Sequence, residues 1–258
     1  MMHINTISVI IQLQSSYKTL IFFTFSICRI VMRTIERTEY LNRIKGLKDT
    51  PDIKVITGIR RSGKSILMQE YIQYLKEHFS DINVIFIDFM DLSFEHLKEY
   101  HALHTYVEDH FQEGKANYLL IDEVQMCPNF ELAINSLYSK RKYDIYLTGS
   151  NAFLLSADLA TLFTGRYIEI HVYPFSFKEY CQYYKNIDNI ESLFEDYTIK
   201  GGLPGSYAYN NEIDRKEYIK EVYQTIVTRD LVQKYSLTDT LVLQRLSEFL
   251  MDNISNLT

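Results

Sequence analysis

From residue 34 onward, apolar positions alternate between two periods. Ile35, Tyr40, Leu41, Ile44 and Leu47 recur at helical spacing among charges, predicting a short amphipathic helix that Pro51 and Asp52 end. Compact apolar runs at 53–57, 83–88, 118–122, 144–148 and 167–172 predict five strands. Helices are expected between them at 65–79, with Ile66, Leu67, Tyr71, Tyr74 and Leu75 forming its stripe, within the mixed stretch 92–113, and at 130–140. The run Tyr118-Leu119-Leu120-Ile121 is apolar on both faces, as a parallel strand covered from both sides must be. Strands alternating with helices predict an α/β, doubly wound parallel sheet. Past Pro174 the strand signal stops, and 175–185, 190–200, 214–235 and 240–254 read as helices, broken at Gly201-Gly202-Leu203-Pro204-Gly205. The last helix is barely closed at residue 258, so this second region reads as incomplete.

Residues 1–31 differ in kind. They are apolar and β-branched, with Lys18 and Arg29 as their charges, and the composition changes at Met32. Spanning a bilayer takes about 20 predominantly apolar residues, and the stretch between Lys18 and Arg29 is too short for that. The late positive charge also fits a signal peptide poorly. Met32 is therefore read as the start of the native fold, with a weak membrane anchor as the alternative. The expected layout is a leader at 1–31, an α/β domain at 32–174 and a helical region at 175–258.

Charge then narrows the partners. The 258 residues hold 27 Lys+Arg against 33 Asp+Glu, a net −6 that is unevenly placed, since residues 32–258 carry 25 basic and 33 acidic side chains. An acidic body without a dense basic patch does not suggest nucleic-acid binding. Cys28, Cys127 and Cys181 are scattered and outside any C-x-x-C pattern, which points to a reducing, cytoplasmic setting.

The chemistry concentrates after the first strand. Gly58-Ile59-Arg60-Arg61-Ser62-Gly63-Lys64-Ser65 matches G-x-x-x-x-G-K-[ST] between an apolar strand and an amphipathic helix, the setting that gives this motif its meaning. Glycines let successive N–H groups turn inward around phosphates, and the helix presents its positive end to them. The candidate nucleotide contacts are Gly58, Arg61, Ser62, Gly63, Lys64, Ser65 and Ile66. Lys64 supplies a mobile point charge, and Ser65 is a candidate Mg²⁺ ligand. Arg60 and Arg61 read either as phosphate or subunit contacts or as plain exposed loop arginines.

Asp122 and Glu123 end the third strand, at the sheet edge where α/β proteins bind ligands. Asp122 is the second metal candidate, and Glu123 the candidate base that polarises the attacking water. At the fourth strand tip, Thr148-Gly149-Ser150-Asn151 offers Asn151 as a sensor of water or γ-phosphate, or equally a helix N-cap. Arg166, before the fifth strand, is a candidate arginine finger in cis or from a neighbouring subunit, or else a solvated charge. His101, His104 and His110 lack zinc-site spacing. Arg229-Asp230 reads as a solvated pair.

Taken together, VITGIRRSGKS, YLLIDEVQ, IYLTGSN, LFTGRY and YPFSFKEY resemble the prokaryotic AAA-type ATPases (AAA_14) whose P-loop domain precedes a DUF4143 domain. The resemblance runs from about Met32 to the end, and family members continue well past residue 258. It implies an AAA-like sheet of order 5-1-4-3-2 and ATP as ligand. Gly58, Gly63, Lys64 and Ser65 would bind phosphate and metal, Asp122 and Glu123 would serve Mg²⁺ and hydrolysis, and Asn151 would act as sensor. The expected activity is Mg²⁺-dependent ATP hydrolysis coupled to a helical partner-binding region, with an unknown protein partner and a homo-oligomer in view. The alternative is a hydrolytically silent, nucleotide-responsive binding module. A small-molecule kinase lacks an identifiable acceptor pocket.

Overall fold

The computed structural model describes residues 35–150, 161–184, 189–235, 237 and 239–254, side chains 228, 229, 233 and 234 excepted. The leader and Asn151 fall outside these residues.

Five strands form one sheet: β1 (Ile53–Thr57), β2 (Ile82–Asp88), β3 (Ala116–Asp122), β4 (Tyr143–Thr148) and β5 (Tyr167–His171). The order is β2-β3-β4-β1-β5, with every neighbouring pair parallel. This is the expected order read from the other edge. From β1 the chain crosses to the far edge at β2 and returns strand by strand to β4, then passes over β1 to reach β5. The connections leaving β1 and β4 thus run in opposite directions, which opens a crevice at the carboxyl ends of these two strands.

Both faces of the sheet are buried, which is why its strands read as continuous apolar runs. On one face Ile53, Val55, Leu119, Ile121, Ile145 and Leu147 pack under α3 (Tyr100–Asp109) and α4 (Phe130–Ser139). On the other, Ile56, Leu120 and Ile170 pack with Leu41 and Ile44 of α1 (Thr38–Gly46) and with Leu67, Met68 and Leu75 of α2 (Lys64–His78). Each such fully buried aliphatic side chain contributes about 1.5–3 kcal/mol. Helix α1 also covers the open edge of β5: Arg43 Nη2 donates to the Glu169 carbonyl at 2.8 Å, and the Tyr40 hydroxyl accepts from Tyr173 N–H at 3.2 Å.

The mixed stretch 92–113 resolves into a 3₁₀ turn, Leu92–Leu97, followed by α3. Asp91 caps the turn by accepting from Ser93 N–H, and Glu99 restarts the helix by accepting from Ala102 N–H.

At the amino-terminal rim of the sheet lies a closed polar network. Lys54, fully buried, donates to Asp144 and, at 2.6 Å, to the Thr50 carbonyl. Asp144 also accepts from the Tyr146 hydroxyl at 3.0 Å and Asp49 N–H at 2.9 Å, and Tyr146 in turn bonds Tyr71 at 2.8 Å. Burial pushes the Asp144 carboxyl up, and Lys54 pulls it back.

After β5 come α5 (Phe177–Tyr184), α6 (Ile190–Lys200), a 3₁₀ turn at Pro204–Ala208, and α7 (Glu212–Gln224). Here the expected single helix 214–235 changes winding: Thr225–Leu231 is π-helical before α8 (Val232–Tyr235) and α9 (Thr240–Asp252) follow. Tyr180, Tyr184, Tyr197 and Tyr207 pack as an aromatic cluster, with centroid separations of 4.6–6.1 Å, and the buried Tyr180 sends its hydroxyl to Asp196 at 2.5 Å. Many of the chain's tyrosines are thus spent on packing with a polar tip.

Candidate nucleotide site

The loop 58–63 leaves the crevice end of β1 and turns into α2. At Gly58, φ is +152°, and a side-chain Cβ would sit 2.3 Å from the Val172 carbonyl oxygen and 2.8 Å from Ser62 Oγ, so only glycine fits. Gly63 caps α2 in the left-handed conformation with φ 98°, and no side chain accepts from the first turn of that helix. Those free N–H groups and the helix dipole favour an anion at this end.

Lys64 is 4% exposed, and its Nζ donates to the carbonyls of Gly58 at 2.9 Å and Ile59 at 3.0 Å. Burial holds its pKa below the ordinary lysine value; the nearby Glu123 and Asp122 carboxylates pull it back up. Across the crevice, Asp122 is 3% exposed. The Thr148 hydroxyl hydrogen-bonds to it, and the Ser65 hydroxyl lies close enough to act on its charge. Burial raises its pKa, these two hydroxyls oppose the rise, and neighbouring Glu123 adds to it. Glu123 is held at φ 54°, ψ 47°. Its N–H donates to Thr148 Oγ1 at 3.0 Å, and its carboxylate accepts from the Gln125 amide. A left-handed glutamate is an uncommon backbone state that the surroundings must impose.

Four polar atoms around this crevice are buried without a partner among the described residues: Ser62 Oγ and Arg60 Nε in the loop, Ser150 Oγ at the tip of β4, and Gln125 Oε1 behind Glu123. Buried polar groups are normally satisfied. The Ser62 and Ser150 hydroxyls and the Arg60 N–H fit an anionic, hydrogen-bonding ligand, Gln125 Oε1 can only accept, and Ser65 with Asp122 is the hard-oxygen pair that Mg²⁺ accepts beside phosphate and water. Among the described residues no group of three or more His, Cys, Asp or Glu could hold a metal.

The family model described as "AAA domain" (AAA_14) matches residues 50–181, half of the chain. The chain belongs to the AAA domain family. This AAA chain is 34% identical over 229 residues to an uncharacterised Haemophilus influenzae protein, covering 86% of this chain and 57% of that one. It is 27% identical over 237 residues to an uncharacterised Methanocaldococcus jannaschii protein, covering 86% and 51% respectively. The AAA chain thus spans about half the length of these curated relatives. Among solved structures, AMPPCP-bound DnaA from Aquifex aeolicus aligns with a TM-score of 0.44 at 16% identity, covering 75% of this chain and 64% of that one. Among the described residues, no helix is long and apolar enough to cross a membrane.

Three sequence expectations need correction in the AAA chain. Arg166 cannot act as a finger in cis. β5 runs parallel to β1 with Tyr167 beside Ile53, so Arg166 sits at the amino-terminal rim, its carbonyl accepting from Ile53 N–H at 3.0 Å. Roughly 13 Å of strand separates that rim from the loop. Its guanidinium lies 5.8 Å over the Tyr138 ring instead. Asp230 is not solvated: it is 2% exposed and ion-paired with Arg60 at 3.0 Å. Of the two loop arginines, Arg60 is half-buried in that pair and so is no plain exposed arginine, whereas Arg61 is exposed and stacks 5.0 Å over Tyr218.

Two residues near the site escaped the sequence reading. Asp88 ends β2 in register with Asp122. Its pKa is raised by burial and by Asp122, while Met90 N–H opposes the rise. The signal was present, because NVIFID and YLLID end alike. Arg37 is 5% exposed and donates to the Ser62 carbonyl at 3.0 Å, the Tyr173 carbonyl at 2.9 Å and Glu179 at 2.6 Å. It bridges the loop to a cleft of about 550 Å³ walled by Tyr40, Tyr173, Phe175 and Glu179.

Proposed function

We propose that this chain binds ATP with Mg²⁺ and hydrolyses it slowly, coupling nucleotide state to the helical region after β5. The observation that carries the reading is the buried Asp122, held by the Thr148 hydroxyl at the end of β3, facing the buried Lys64 of the glycine loop. The phosphates would lie against the N–H groups of Arg61 to Ile66, with Lys64 turning from the loop carbonyls to the β/γ oxygens. Ser65 and Asp122 would hold Mg²⁺, which when bound would supply charge neutralisation at those oxygens. Glu123 would accept a proton from the attacking water, and its N–H, donating to Thr148 Oγ1, ties its backbone to the tip of β4. The aromatic cleft beside Arg37 suits the nucleoside end. Exposed Leu241, Val242, Phe249 and Leu250 on α9 support a protein contact by the helical region.

Thermal unfolding and phosphate release test this together. Mg-ATP at a hundredfold excess over Kd should stabilise the protein by about 2.7 kcal/mol, with turnover of about 10⁻⁴ to 10⁻² per second. Glu123→Gln should keep the stabilisation and lose about 10²- to 10⁴-fold in phosphate release. Wild-type turnover by that variant removes Glu123 as base. Stabilisation without any phosphate release from the wild type selects the silent binding module, and no stabilisation overturns the nucleotide reading.

A further inference from the structure

A buried carboxylate from the far end of the chain sits on the phosphate loop. Asp230 is 2% exposed, and Arg60 Nη2, 170 residues earlier, donates to it at 3.0 Å. Asp230 is also among the charges that act on Lys64. Arg60 Nε, meanwhile, stays buried with no partner among the described residues. Asp230 is therefore the carboxylate paired with Arg60, adding to the charge that Glu123 and Asp122 already place near Lys64.

A second contact joins the same two regions independently. Arg61, at φ 64°, stacks over Tyr218 of α7. Tyr218 is itself pressed onto the backbone at Gly205, where a Cβ would lie 2.2 Å from its hydroxyl oxygen. Both loop arginines are thus engaged by the α7 and π-helical stretch.

We propose that Asp230 is a nucleotide-released latch, whose carboxylate competes with a nucleoside polyphosphate for the loop cations so that binding and release of the Thr225–Leu231 segment drive each other. This rests on the ATP reading above and adds its regulation. A polyphosphate beside a buried carboxylate brings like charges together in a poorly solvated space, which strongly disfavours keeping both. The π winding of Thr225–Leu231 supplies the element that can respond. π turns are rare and strained relative to α winding, and relaxing one rotates the residues that follow. Here that turns Asp230 away from Arg60 and carries α8 and α9 with it. Linkage makes the coupling reciprocal: whatever loosens the segment tightens nucleotide binding.

The test titrates Mg-ATP into the full chain, wild type and Asp230→Asn, by calorimetry, and follows hydrogen exchange of Thr225–Leu231. Asp230→Asn should bind about tenfold more tightly, within the usual range of coupling between sites. In the wild type, Mg-ATP should speed exchange in that segment. Equal or weaker binding by Asp230→Asn overturns the latch and makes Asp230 a residue that merely positions Arg60. Should the variant not fold, the wild type decides alone, and exchange unmoved by bound Mg-ATP overturns the latch while leaving the ATP reading intact. A wild type with no affinity for Mg-ATP overturns both.

Discussion

At the amino-terminal rim of the sheet, Lys54 and Asp144 are buried together and each of their polar atoms has a partner: the Thr50 carbonyl, Tyr146, Tyr71 and the Asp49 backbone complete the network. At the carboxyl-terminal rim, Lys64 and Asp122 are buried to a similar depth, yet Ser62, Ser150, Arg60 and Gln125 leave atoms without a partner among the described residues. Burial of charge is similar at the two ends, and completeness of hydrogen bonding differs. The first arrangement uses its charges for structure. The second leaves donors and acceptors open among the described residues, as the nucleotide reading proposed above requires.

Substitutions can break this contrast. The largest effect is expected at the closed rim: Lys54→Ala leaves Asp144 buried without its cation, at about 3–5 kcal/mol of stability. Lys64→Ala, by the same measure in chemical denaturation, should lose under about 1 kcal/mol, because its charged form is already disfavoured by burial, while Mg-ATP binding disappears. Equal losses at the two lysines would abolish the distinction.

The two aspartates sharpen it further. Burial raises the pKa of both. Asp144→Asn should cost about 2–3 kcal/mol by stranding Lys54, whereas Asp122→Asn should stabilise the protein by about 1 kcal/mol at neutral pH, by removing a desolvated charge, and weaken its response to Mg²⁺. A stabilising Asp144→Asn would show that the closed rim is no structural pair.

The smallest effect concerns acid. Burial alone would raise the Glu179 pKa, but the Arg37 guanidinium and Ser176 N–H hold it below the ordinary value. A depressed carboxylate contributes stability above its unfolded pKa of about 4.3, and that contribution fades as pH falls through the lower folded value. Acid unfolding of Glu179→Gln should therefore begin from a stability lower by about 1 kcal/mol and fall less steeply below about pH 4.

The strands were legible because a sheet covered on both faces demands unbroken apolar runs, and the loop because its chemistry is local and contiguous. Asp122 and Glu123 followed from being next to the end of such a run. What stayed hidden depends on distance along the chain. Nothing local separates Asp230 from a solvated acid; only folding brings it to Arg60, and the π winding that places it leaves no mark in the apolar period. Arg37 likewise reads as one more basic residue ahead of a helix. Arg166 was misplaced for a reason the sequence contained, since the residue before a parallel strand belongs at the opposite rim from the residue after one.

The cover over β5 has a practical corollary. Arg43 and Tyr40 occupy backbone groups along or just past that strand, groups that would otherwise offer a template for another chain. A shortened protein beginning at Ile53 would keep the whole phosphate loop and strip that guard, leaving β5 open to side-by-side pairing with a second copy.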